Sequence, residues 1–173
     1  SLGQGLSGSV GMALTAKLDG SRHRIYCILG DGECQAGQIW EAASSASHFR
    51  LDNIVGILDR NGLQTDGPTE EIMSLEPVAE RWRAFGWHVL EIDGHNYDEI
   101  LSALEKASRV TGKPTMIIAH TIKGKGVSYM EGTLSSHGKA PSKDEFNKAH
   151  TEFDLTRKRL EARRAQAIAA VAQ

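Results

Sequence analysis

Two short loop motifs carry the residues best suited to chemistry. Gly30-Asp31-Gly32 closes an apolar run over residues 25–29, and Asn61-Gly62-Leu63 follows a second apolar run over 53–59. Between them they offer a carboxylate, an amide oxygen and, at Leu63, a backbone carbonyl that the small Gly62 leaves accessible. Hard oxygen donors suit Mg2+, which takes about six oxygens at roughly 2.0–2.1 Å, and diphosphate oxygens would complete the set. Gly32 has no Cβ, so the backbone can turn sharply and let a ligand approach. Taken alone, Gly-Asp-Gly is also an ordinary turn and helix cap. The pairing with Asn61, 30 residues after Asp31, is what favours the ligand chemistry.

Those oxygens meet only if two strand ends lie side by side. The pattern predicts an α/β fold, a mostly parallel sheet with helices on both faces, in which ligands bind at the carboxyl ends of the strands. Strands are expected over residues 24–30, 53–59, 87–92 and 114–120. A Gly-rich loop (Gly3, Gly5, Gly8) leads into a helix reaching Leu18. A second helix over 35–49 carries an apolar stripe at Ile39, Ala42, Ala43 and Ala46, and its first N–H groups would point towards Asp31 and favour negative charge. A third helix spans 76–85, with Pro77 in its first turn and Gly86 as its stop. A fourth, over 97–110, follows the cap Asp93-Gly94-His95-Asn96 and buries Ile100, Leu101, Leu104 and Ala107. Residues 62–68 read as an irregular polar loop over the ligand. Two further helices are expected, over 142–149 (capped by Ser142) and over 154–172 with the basic run Arg157-Lys158-Arg159 and Arg163-Arg164. That run is a solvated face or a docking surface for a partner chain.

Composition narrows the class. The 173 residues suffice for one ordinary domain, and 40% hydrophobic with 24% charged residues is that of a soluble globular protein. A net charge of −2 gives no basic field for nucleic acid or an anionic membrane. There is neither a membrane-length apolar run nor a signal-peptide pattern, so a cytoplasmic setting is expected. Cys27 and Cys34 lack metal-type spacing and read as buried structural thiols, although Cys34 follows the Asp31 loop closely enough to be oxidisable.

The text GDGECQAGQIWEAASSASHFRLDNIVGILDRNGLQTDG resembles the transketolases, and the resemblance runs from Leu2 to about Ala149. It implies a thiamine-diphosphate-binding fold holding thiamine diphosphate and Mg2+, with Ca2+ or Mn2+ able to stand in. The implied metal ligands are Asp31, Asn61 and the Leu63 carbonyl. Leu2, Gly5, Gly30, Gly32, Leu63 and His137 would contact the cofactor, Leu2 on its pyrimidine side. His137, in Ser135-Ser136-His137-Gly138 after the Lys123-Gly124-Lys125-Gly126 loop, resembles the family histidine that reaches the diphosphate and the bound sugar, and is the catalytic candidate. Lys123 or Lys125 would meet a phosphate or simply solvate a turn; Asp66 orients its neighbours or serves a plain turn, and His95, an acid–base candidate by type, reads more readily as a structural or solvated loop residue.

The reaction implied is transfer of a two-carbon ketol unit from a ketose phosphate to an aldose phosphate, as in the pentose phosphate pathway. Residues 1–141 would form the thiamine-diphosphate and metal domain, and 142–173 a helical tail, linker or partner-docking segment. The family's upstream strand and helices are expected to lie outside this sequence. The glutamate that protonates the cofactor belongs to a pyrimidine-binding domain, which no stretch here resembles. A partner is therefore expected, a C-terminal transketolase subunit in an α2β2 assembly, with turnover only in the pair. Many transketolases place an acid at the position of Ala36, where it links two sites across an interface; alanine cannot share a proton, so that coupling is not expected. Competing readings are one chain of a deoxyxylulose-phosphate synthase or of a 2-oxo-acid dehydrogenase, and a non-catalytic scaffold.

Overall fold

The computed structural model describes residues 2–171 and divides into two compact units, Ser1–Thr121 and Ile122–Gln173. In the first unit the strands are β1 (Ile25–Gly30), β2 (Ile54–Arg60), β5 (His88–Asp93) and β6 (Thr115–His120). They form one parallel sheet in the order β1-β2-β6-β5. A two-residue hairpin, β3 (Leu63–Gln64) with β4 (Gly67–Pro68), occupies the loop expected to be irregular. The helices are α1 (Gln4–Leu18), α2 (Gly37–His48), α3 (Thr69–Ile72), α4 (Val78–Ala84) and α5 (Tyr97–Arg109).

β1 and β2 are nearly free of charge until their last residues, which is what a strand covered on both faces requires. One face of the sheet packs α1, α2 and α4 through Leu6, Ile39, Ala43 and Trp82 against Leu29, Ile54, Leu58 and Met116. The other packs α5 through Ala103 and Ala107 against Val55 and Ile117. Helices thus lie on both faces, as expected. The second face is covered only in part, since Ile28 of β1 is 74% exposed. The stripe of α5 is also turned from the expected one: Ala103 is buried in place of Leu101, which is 64% exposed. An alanine at 103 lets the helix approach the sheet closely, and the bulkier Leu101 then falls outside the contact. Asn96 caps α5 as anticipated, its side chain accepting from the Asp98 and Glu99 N–H groups at 3.1 and 3.4 Å.

In the second unit the chain forms turns over 123–138 and then α6 (Lys143–Val171), a single helix where two were expected. No glycine or proline interrupts residues 150–153, so the i to i−4 ladder runs through. The expected end at residue 172 lies outside the described residues. Ser142 and Glu145 form a reciprocal cap at the start: the Ser142 N–H donates to Glu145 at 2.7 Å and the Glu145 N–H to Ser142 Oγ at 3.3 Å.

Candidate functional site

The register of the sheet decides what meets at its carboxyl edge. Gly30 pairs with Asp59, and Arg60 lies opposite His120, so the Asp31 turn leaves the sheet beside the 60–63 loop. Asp31 is 1% exposed. Its Oδ1 accepts from the Gly32 N–H at 2.7 Å; its Oδ2 accepts from the Gly62 N–H at 2.6 Å and from Arg60 at 3.1 Å. A carboxylate offers about four lone-pair sites. Among the described residues three are taken, and the remaining one is on Oδ1.

Asn61 is turned into its own loop, where Oδ1 accepts from the Leu63 N–H at 3.0 Å. This Asx turn, together with the left-handed Gly62 (φ 77°), sets the direction in which the Leu63 carbonyl leaves the loop. Gly32 makes room for protein: a Cβ there would lie 2.9 Å from Gln64 Cβ of the hairpin. Gln64 is itself held by Gln35, whose Nε2 donates to it at 2.6 Å and to the Met73 carbonyl at 2.7 Å. The helix start expected beside Asp31 is a single 3-10 turn, Gly32–Gln35, capped by Asp31; α2 begins only at Gly37. Ala36 is the residue between the two, extended (φ −75°, ψ 132°), and it packs against the apolar core.

The Gly-rich entry is tied to the same turn. Glu33 accepts from the Gly3 N–H at 2.7 Å and from the Gly30 N–H at 3.1 Å, one on each carboxylate oxygen. Gln38 donates to the Leu2 carbonyl at 2.9 Å, leaving the Leu2 side chain 77% exposed. Gly5 lies on an exposed part of α1. In the second unit His137 is exposed, its Nδ1 3.1 Å from Lys123 Nζ, and Lys125 pairs with Glu131 at 2.7 Å. In the first unit, then, the Asp31 and Asn61 loops come together and the Leu2–Gly3 segment is attached to them through Glu33, while Glu41, Asp66 and His95 are exposed.

Two residues of this network lie beyond the sequence reading. Glu33 has no assigned role inside the motif. Arg60 has none either, yet its largely buried side chain is the hub of the loop. An arginine closing an apolar strand, with Glu70 and Glu76 following, is the signal that could have found it.

Both thiols are buried. Desolvation, helped by the Glu33 and Asp31 carboxylates, pushes the Cys34 thiol up to about 12, and burial likewise raises Cys27. Native protein at pH 8 is expected to leave Cys34 unmodified by Ellman's reagent, with both thiols reacting on unfolding. The folded thiol holds its proton more tightly than an unfolded one, which ionises near ~8.5. Its contribution to stability is therefore full below that pH and declines as pH rises towards 12, which urea unfolding at a series of alkaline pH values measures.

A parallel α/β sheet with a buried carboxylate and two glycine-containing loops at adjacent strand ends is the architecture of a domain that binds its ligand at the carboxyl edge of the strands. The chain belongs to the transketolase thiamine diphosphate binding domain family, whose profile matches residues 1–170. It is 53% identical over 154 residues to the 6-deoxy-6-sulfo-D-fructose transketolase subunit SqwG of Clostridium sp. (strain MSTE9), covering 89% of this chain and 56% of that one. It is 45% identical over 160 residues to an apulose-4-phosphate transketolase subunit of Phocaeicola vulgatus, covering 92% and 57%. The chain thus spans about half the length of these curated relatives. Among solved structures, transketolase from Campylobacter jejuni superposes with a TM-score of 0.82 at 39% identity, over 87% of this chain and 25% of that one. The parallel sheet and its flanking helices are accordingly those of a transketolase. Among the described residues no helix is long and apolar enough to cross a membrane.

Proposed function

We propose that this chain supplies the diphosphate- and metal-binding half of a transketolase active site. It works with a partner chain that carries the pyrimidine-binding domain, in an α2β2 assembly in the cytoplasm. The reaction is transfer of a two-carbon ketol unit from an anionic ketose, phosphorylated or sulfonated, to an aldose phosphate. The observation that carries this reading is the Asp31 carboxylate, buried against Gly62 and Arg60 with, among the described residues, one lone-pair site left on Oδ1.

The donor set fits a small hard cation. One carboxylate oxygen, one amide oxygen and one backbone carbonyl are all oxygen ligands, and Mg2+ completes its shell with phosphate oxygens and water. In this reading Asp31 Oδ1, Asn61 Oδ1 and the Leu63 carbonyl hold Mg2+, or Ca2+ or Mn2+ in its place. Thiamine diphosphate, when bound, supplies a thiazolium that stabilises the two-carbon carbanion. The chain's own residues bind and orient. Leu63 would pack against the cofactor's rings, Leu2 would contact its pyrimidine side, and Gly5 and Gly30 would let backbone come close to it. His137 is assigned as the donor to the diphosphate and to a substrate hydroxyl, a task an imidazole N–H performs. SqwG and the apulose-4-phosphate transketolase chain, both named as subunits, support the partner and a sugar outside the pentose phosphates.

Calorimetric titration of thiamine diphosphate into the chain, with and without Mg2+ and a candidate partner, tests the proposal. Binding is expected only with Mg2+, and ketol transfer only with the partner. Ketol transfer by the single chain would overturn the partner assignment, and Mg2+-independent binding the metal assignment.

A further inference from the structure

We propose that Arg60 is a positioning residue for cation capture: it holds Asp31 on Oδ2, away from the open Oδ1 site, and couples that hold to the 69–76 segment. The inference rests on the thiamine-diphosphate reading of this site. Arg60 closes β2, and its side chain is 9% exposed. A guanidinium has five N–H groups and stays charged, so when buried it must be paired. All five are matched here. Nε donates to Glu76 Oε1 at 3.2 Å; one terminal nitrogen donates to Asp31 Oδ2 at 3.1 Å and Thr69 Oγ1 at 2.7 Å; the other donates to Glu70 Oε1 at 2.9 Å and Glu76 Oε1 at 3.0 Å. No donor is left for a phosphate. Arg60 therefore acts on a ligand only through the groups it holds.

What it holds extends well past Asp31. Glu70 also accepts from the Leu75 N–H at 3.1 Å and from Ser74 Oγ at 2.5 Å, and Glu76 Oε2 accepts from the Val78 N–H at 2.9 Å, at the start of α4. The segment's other side is fastened by Gln35 to the Met73 carbonyl. One guanidinium thus joins the carboxylate of the metal motif to the turn between α3 and α4. Electrostatics sets the sign. A lone arginine 3.1 Å from Asp31 would repel an incoming divalent ion, but Glu76, which accepts from two of its N–H groups, offsets its charge. The carboxylate keeps its orientation and the cation meets no net positive neighbour. Because Arg60 bonds both, order in the 69–76 segment and cation binding at Asp31 stabilise each other.

The test uses the intact protein with thiamine diphosphate at saturation. Mn2+ affinity is read by electron paramagnetic resonance, and amide hydrogen exchange of residues 73–78 is followed with and without Mn2+ and cofactor. In the wild type the ligands are expected to slow that exchange. Arg60→Met is expected to weaken Mn2+ binding by about tenfold or more, as for loss of a charge-assisted bond, and to abolish the ligand-dependent slowing. Glu70→Gln, at a more exposed position and leaving the Asp31–Arg60 contact in place, is expected to keep Mn2+ affinity within about threefold while losing the slowing. It carries the test by itself should Arg60→Met fail to fold. A merely structural Arg60 would lower the melting temperature and leave the ligand-dependent difference intact. Mn2+ affinity within about twofold of wild type in Arg60→Met, or full ligand-dependent slowing in Glu70→Gln, overturns the proposal. A wild type whose cofactor binding ignores Mn2+ overturns the underlying function instead.

Discussion

Asp31→Ala is expected to remove Mg2+-dependent thiamine diphosphate binding, a loss of at least about a hundredfold or ~2.7 kcal/mol. The carboxylate is the one charged group among the three assigned ligands, and among the described residues no group of three or more His, Cys, Asp or Glu offers itself as a replacement. The same change strands part of a buried ion pair. Arg60 keeps Glu70, Glu76 and Thr69, so the stability cost should fall below the roughly 3–5 kcal/mol typical of a fully orphaned buried charge. Asp31→Asn separates the two effects. It preserves shape and one acceptor for the Gly32 or Gly62 N–H, but not the charge. Binding should therefore be lost nearly as completely while the melting temperature drops less. Calorimetry beside thermal unfolding reads both, and Mg2+-dependent binding retained in either variant would remove Asp31 from the ligand set.

The largest stability effect is expected at Trp82→Ala. Trp82 on α4 is fully buried, with ring centroids 4.9 Å from Trp40 and 5.0 Å from Trp87. Emptying that space should cost about 3–5 kcal/mol, a large share of the roughly 5–15 kcal/mol that holds a domain together. Its reach extends to the site, because Trp40 donates through Nε1 to the Cys34 carbonyl at 2.9 Å, in the turn that Asp31 caps. Trp82 Nε1 has no partner among the described residues. Trp82→Phe deletes that orphaned donor and much less volume, so it should cost well under half as much. Urea unfolding of the two variants gives the comparison; a loss below about 1 kcal/mol for the alanine variant would contradict the packing described.

The meeting of the Asp31 and Asn61 loops was legible because the signal is local. Asp31 and Asn61 each end an apolar run, and runs of that kind form adjacent parallel strands whose carboxyl ends share an edge. The helix stripe at Ile39, Ala42, Ala43 and Ala46 was legible for a similar reason, since period and residue size point to one buried face.

Other features were out of reach. Whether residues 142–171 form one helix or two turned on weak propensities over 150–153, where no strong breaker stands. The α5 face depended on how closely Ala103 lets the helix approach β6, which is a matter of packing. Arg60 gave no periodic signal at all.

Chain order alone determined that a carboxylate and an amide would stand at neighbouring strand ends, because alternation of strand and helix admits few topologies. Only the tertiary structure decided what surrounds them. Gln64 fills the space beside Gly32, Glu33 ties Gly3 to Gly30, and Arg60 spends its five N–H groups on residues 9 to 29 positions away. Such contacts arise where loops from different strands converge, and convergence in space leaves no period along the chain.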